Sequence, residues 1–170
     1  MRRAVAGIVS TAALALALAG PAAARTVTSG VITVGKGAGP ITLGMSRAQV
    51  IAKLGAPLYE NSNGYMQYAK VPAMFDVYRD GGARSTRVRM LGIAGSGFRL
   101  SDGNRIFAKG GLKRLANRYG RRLMFHNSAD TGPYYEIVSR LNGRKVLSDF
   151  SVDRHSLNAT VLDIFILLAR

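Results

Sequence analysis

The sequence predicts an α+β fold of two tandem repeats, each a short helix followed by an antiparallel three-stranded sheet. Three observations point there. One segment recurs later in the chain without a gap, and short Phe-x-Val-x-Arg runs recur behind both copies. Apolar periodicity also switches from helical to alternating at matching places in the two halves.

The elements follow in chain order. Met1-Arg2-Arg3 is a short positive stretch, and Ala4–Ala19 is almost wholly Ala, Leu, Val and Ile. Gly20-Pro21 breaks any helix, and Ala22-Ala23-Ala24 supplies the small residues of a peptidase site. That is the order of a secretory signal. A membrane anchor is disfavoured, because the apolar run falls short of the ~20 residues a bilayer needs. Cleavage after Ala24 is expected, leaving a periplasmic or secreted protein with no transmembrane span. The chain has no cysteine, so no disulfide supports the fold.

Residues 25–40 form a lead-in. Gly35-Lys36-Gly37-Ala38-Gly39 has glycines and a lysine, but no Gly-Lys-Ser/Thr follows and no helix opens at once. It reads as a flexible approach to the first strand rather than a phosphate loop.

The first repeat, residues 41–95, opens with Ile41–Gly55. Ser46 and Gln49 fit a capping box, Val50, Ile51 and Leu54 make one apolar stripe, Gly55 suits a left-handed cap and Pro57 blocks continuation. Strands are expected at Tyr65–Ala69, Phe75–Asp80 and Thr86–Ile93, with a turn at Gly81-Gly82. Gly95-Ser96-Gly97 reads as a junction, with a strand Phe98–Leu100 that could belong to either half.

The second repeat, residues 96–170, carries Ile106–Gly120, which aligns with Ile41–Gly55. Gly110-Gly111 stands where the cap was, and Leu112, Leu115, Ala116 and Tyr119 form the stripe. Strands are expected at Tyr134–Arg140, Phe150–His155 and Thr160–Leu168, with a longer loop around Leu141-Asn142-Gly143-Arg144. Helices this short need packing to persist.

The run Ile41-Thr-Leu-Gly-Met-Ser-Arg-Ala-Gln-Val-Ile-Ala-Lys-Leu-Gly-Ala-Pro57 resembles the signature of a small envelope domain. That domain is shared by the SmpA/OmlA outer-membrane assembly lipoproteins and the β-lactamase inhibitory proteins. In that group a Gly-Met-Ser/Thr opening, a spaced Val and a closing Leu-Gly-x-Pro flank a short helix before a small sheet. The doubled arrangement is closer to the inhibitory proteins. The resemblance implies the architecture and a habit of binding protein surfaces. The lipid-anchoring cysteine of one branch and the disulfide cysteines of the other are missing, so neither specific activity carries over.

Chemistry is thinly represented. No Gly-x-Ser-x-Gly, Ser-x-x-Lys or His-Glu-x-x-His occurs, and there is no thiol nucleophile. His126-Asn127-Ser128-Ala129-Asp130 gathers triad residue types but reads as a turn-rich surface linker. Asp153 and His155, with Asp149 nearby, could approach a metal, yet the spacing is loose and a solvated strand face accounts for them. The sequence is therefore read as a non-enzymatic binding module with no cofactor and no metal.

Lys+Arg 24 against Asp+Glu 9 gives a net charge of +15. Outside the cytoplasm such an excess meets phosphate-bearing envelope polymers, lipid headgroups or an acidic protein; nucleic acid is not expected there. Solubility of a basic secreted protein explains the same excess. Two groups are candidate contact sites. Tyr78, Arg79 and Asp80 run into the Gly81-Gly82 turn, with Arg84, Arg87 and Arg89 on the next strand, Arg87 and Arg89 opposite a core-facing Val88 and Met90. Lys113, Arg114, Arg118, Arg121 and Arg122 cover the outer side and exit of the second helix, as an anionic footprint or a solvated face. Tyr59, Tyr65, Tyr68, Tyr78, Tyr134 and Tyr135 add residues that both interfaces and strands favour. The leading reading is an exported protein-binding or inhibitor-like module. The alternative is an envelope-maintenance factor held to anionic polymers or lipids, and a hydrolase stands third.

Overall fold

The computed structural model describes residues 26–79 and 87–169; the expected signal segment, Asp80, the Gly81-Gly82 turn and Arg84 lie outside them. The chain folds mostly as β-structure, in one sheet of four strands and one of eight, with two short helices. This corrects the expected α+β tandem of three-stranded units.

The smaller sheet holds β1 (Ser29–Thr33), β2 (Gly37–Ala38), β3 (Ile41–Thr42) and β8 (Gly97–Leu100), in the order β3-β2-β1-β8. Residues near the N-terminus therefore pair in parallel with a strand from mid-chain, Ile32 opposite Leu100. The glycine run is no flexible lead-in. The Gly35 amide donates to the Ser148 hydroxyl at 3.0 Å, and a side chain at Gly37 would meet the Ile41 carbonyl oxygen at 2.2 Å. Glycines here permit close approach of backbones, a role that composition alone cannot separate from looseness.

The larger sheet is formed by β4 (Tyr59–Glu60), β5 (Tyr65–Gln67), β6 (Met74–Arg79), β7 (Val88–Ala94), β9 (Leu123–Ser128), β10 (Gly132–Leu141), β11 (Arg144–Val152) and β12 (Val161–Leu168). Its order is β4-β5-β6-β7-β12-β11-β10-β9. Two antiparallel meanders thus meet through their last strands, with Ile93 opposite Ile164 and Leu91 opposite Ile166. Strands β4 and β9 were not legible as such. Strand β4 is two residues long, and β9 carries His, Asn and Ser, so only its ladder to β10 marks the supposed linker as a strand. The segment expected to loop, Leu141–Arg144, is a tight hairpin. Asn142 and Gly143 both take positive φ, as a two-residue turn between right-twisted strands requires.

One side of the large sheet is covered. Met66, Phe75, Val77, Leu91, Ile93, Ile137, Val146, Phe150, Ile164 and Ile166 are buried there in a single apolar cluster. The cluster takes in Val50 and Leu54 of helix α1 (Arg47–Leu54), Leu112 and Leu115 of helix α2 (Gly111–Tyr119), and Ile32, Phe98 and Leu100 of the small sheet. Phe75 and Phe98 stack at 5.8 Å where the two sheets meet. Helix α1 opens on the capping box: the Ser46 hydroxyl accepts from the Gln49 amide, and the Gln49 side chain accepts from the Ser46 amide. Helix α2 starts after Gly110 in the left-handed region, with no side-chain cap. Among the described residues no helix is long and apolar enough to cross a membrane.

Candidate functional site

The other side of the large sheet is built from the alternate residues of the same strands, and apart from the buried Asp76 and Gly92 the residues of the rows below are half-exposed or exposed. Cross-strand register arranges them in rows. The central row runs Tyr59, Gln67, Asp76, Gly92, Phe165, Asp149, Glu136, Met124, one residue from each strand. Beside it run Tyr65, Tyr78, Met90, Leu167, Leu147 and Val138. On its other flank Asp163 faces Ser151, Tyr134 and His126. Tyr65 lies 6.0 Å from Tyr59 and 5.1 Å from Tyr78, and Tyr134 stacks on His126 at 5.0 Å.

Two features of this face are electrostatic. It carries Asp76, Glu136, Asp149 and Asp163, four of the chain's nine acids, while Arg140 and Lys145, paired on the same face, sit at the β10–β11 hairpin end. Burial also pushes Asp76 and Asp149 up. Asp149 rises to about 6, first through desolvation and then through Glu136 directly across the strand pair. The Asp76 carboxyl is raised by burial, against a hydrogen bond from Tyr65 that favours its ionised form. Tyr65 is pushed up to about 12 by desolvation and by that same aspartate.

The residues singled out from sequence separate widely. Tyr78 lies on the open face. Arg79 is not at an exposed tip: its side chain is 6% exposed and pairs with Glu60 at 2.8 Å. Glu60 also binds Arg47 at 2.7 Å, tying helix α1 to the sheet. Between Tyr78 and Arg79 the register shifts, so Met90 pairs with Tyr78 on the open side while Val88 is buried on the other. The expectation that both face the core fails because a bulge reverses the alternation. Arg89 reaches the Leu168 carbonyl at 3.2 Å, and Arg87 donates to the Gly44 carbonyl at 3.0 Å beside a cleft that also holds Gln49 and Arg144.

On and after helix α2, Arg118 pairs with Asp102, Arg114 donates to Asn104 at 2.7 Å, and Arg122 bonds the Val138 carbonyl and lies over the Tyr119 ring. Lys113 and Arg121 are exposed. Of the tyrosines, Tyr59, Tyr65, Tyr78 and Tyr134 share the open face, whereas Tyr68 and Tyr135 are buried.

The triad-like residues do not assemble. His126 is on β9 with its Nε2 3.8 Å from Glu136, and Ser128 caps the following turn through its hydroxyl. His155 lies beyond β11, which ends at Val152, and stacks on Phe125 at 3.6 Å. Asp149 points to the open face with Glu136, away from the Asp153 turn, where Asp153 accepts from the Thr160 amide. Among the described residues no group of three His, Cys, Asp or Glu side chains is placed to hold a metal ion.

Comparison with family models, curated proteins and solved structures returns no match. What the open face does must be read from its own chemistry. Sequence reasoning found four of its tyrosines but none of its acids as a group. The available signal was a charged or polar residue at outward positions of successive strands, Asp76, Glu136, Asp149 and Asp163.

Proposed function

We propose that this chain is an exported, non-enzymatic protein-binding module whose contact surface is the open face of the eight-stranded sheet. One observation carries the reading: Tyr59, Tyr65, Tyr78, Met74, Met90 and Phe165 share one open sheet side instead of being scattered over the surface. Aromatic residues and methionine are what protein interfaces enrich, since they give large contact area at small entropic cost. Eight strands at about 4.8 Å spacing give a platform roughly 34 Å wide, the scale of a standard interface on one partner. The resemblance of Ile41–Pro57 to envelope and inhibitory domains agrees with this role, and the N-terminal pattern of residues 1–24 agrees with export.

The alternative, charge-held attachment to anionic polymers or lipid headgroups, draws on the +15 net charge. It is weakened at α2, where Arg114, Arg118 and Arg122 already hold intramolecular partners.

A photo-reactive phenylalanine analogue placed at Met90, and separately at Lys113, discriminates between them in an envelope extract. The protein-binding reading expects a discrete adduct from position 90 that persists at high salt, because apolar contacts are not screened. Adducts only from position 113, lost with salt, would overturn it.

A further inference from the structure

Granting that the open face is a protein contact, we infer that its partner presents two cationic side chains, arginine or lysine, from an extended segment laid across the strands, one at Asp76 and one at Asp149.

The charge pattern is the first support. The molecule carries Lys+Arg 24 against Asp+Glu 9, yet the middle of this face is acidic. Asp149 has Glu136 directly opposite and Asp163 diagonally across, so three carboxylates share one corner of the platform. Like charges paired across strands destabilise a sheet, and a cation between them reverses the sign. An apolar partner would leave these charges buried and unpaired.

Hydrogen bonding is the second. Asp76 is 6% exposed and bonded by Tyr65, yet its Oδ1 has no hydrogen-bond partner; Oδ1 of the part-exposed Asp149 and of the part-exposed Asp163 has none either. Each of these oxygens belongs to an outward residue of the same sheet face. Carboxylates short of donors favour a cation seated above them, and a guanidinium or ammonium over the part-exposed Asp149 and Asp163 provides that charge.

The third is the ground between the acids. Gly92 and Phe165 separate Asp76 from Asp149 in the central row. A side chain at Gly92 would come within 3.0 Å of the Phe165 ring and 3.3 Å of the Met74 methyl, so glycine lets both lie close over this strand. The result is a low apolar saddle with Tyr65 and Tyr78 on one flank and Tyr134 on the other. Aromatic faces beside carboxylates hold the stem and charge of arginine or lysine together. Asp76 and Asp149 are three strands apart, about 14 Å. In an extended chain, residues i and i+4 point the same way about 13 Å apart. Two basic residues separated by three others therefore match the acids.

The test uses the whole exported chain and a synthetic peptide with two arginines separated by three small neutral residues. Its control replaces both arginines with citrulline, which keeps the shape and removes the charge. Because the protein is strongly basic, non-specific attraction works against binding the arginine peptide, which makes a positive result informative. The expected result is amide shift changes at Gly92, Asp149 and Phe165 with the arginine peptide only, and at least about tenfold weaker binding to Asp149→Asn. Asp76→Asn should act similarly. If that variant unfolds, the Asp149→Asn comparison stands on its own. Equal binding of the citrulline peptide, shifts confined to other surfaces, or unchanged affinity in Asp149→Asn would overturn the inference. A discrete adduct from position 90 alongside any of those outcomes would leave the protein-binding reading standing and remove only the cationic partner.

Discussion

Alternate residues of the same strands build both sides of the large sheet, and the two sides hold opposite kinds of chemistry. On the covered side Phe75, Val77, Leu91, Ile93, Phe150, Ile164 and Ile166 are fully buried in one cluster shared with both helices and the small sheet. On the open side Tyr78, Met90, Asp149 and Phe165 occupy the intervening positions and find no comparable packing, while Asp76 among them is buried. The covered side is arranged to lower free energy within the chain. The open side retains aromatic area and carboxylate oxygens without hydrogen-bond partners. Core packing and the partly exposed polar and aromatic groups are thus separated by one residue's step along a strand.

The difference can be broken most directly at the covered side. Phe75→Ala removes a fully buried ring that bridges the two sheets, and should cost about 3–5 kcal/mol in urea unfolding. A loss below 1 kcal/mol would mean the sheets are not held together there. The helices on that side give a smaller effect. Ser46→Ala deletes the hydroxyl that accepts from the Gln49 amide and should cost about 0.5–2 kcal/mol, read from the same unfolding curves.

On the open side the sign reverses. Asp149 titrates near 6 in the fold, above the ordinary aspartate value of 3.8, so folding favours its protonated form. That contribution is fully present below about pH 4 and is lost as pH rises through about 6. Asp149→Asn keeps the neutral form at every pH. It should match the parent near pH 4 and exceed it near pH 7, by on the order of 1 kcal/mol after allowing for solvent around a half-exposed group. Melting temperatures at the two pH values check this; a variant less stable at pH 7 would show that Asp149 already has a favourable partner.

The smallest effect belongs to Tyr59, which is 54% exposed at the platform's rim. Tyr59→Ala should stay within about 0.5 kcal/mol of the parent in stability. A measured cost above 1 kcal/mol would mean that the rim belongs to the fold rather than to the contact surface.

Much of the chain was legible where a local signal decides. Ser46, Gln49, Val50, Leu54 and Gly55 spell out α1 by caps and spacing, and the helix lies where those residues place it. Alternation located the middle of β6, β7, β10 and β12, but of β11 only its end, Phe150–Val152. It failed where the signal was short or interrupted. Strand β4 has two residues, β9 has polar ones, and the shift between Tyr78 and Arg79 moved Met90 to the side opposite the one its spacing implied. The Asn142-Gly143 pair closes a two-residue hairpin, not the longer loop expected there.

Local chemistry thus determined the helix caps, the positions of most strands, the basic charge and the lack of any cysteine, because each depends on residues close together in the chain. Only the tertiary structure decided that two meanders join through β7 and β12 into one sheet, and that a strand near the N-terminus completes a second. Those pairings depend on hydrogen bonds between segments far apart in sequence, where many registers offer similar local energies. The acid row across Asp76, Asp149 and Glu136 follows from the same pairings, since residues from three separate strands come into line only after the register is fixed.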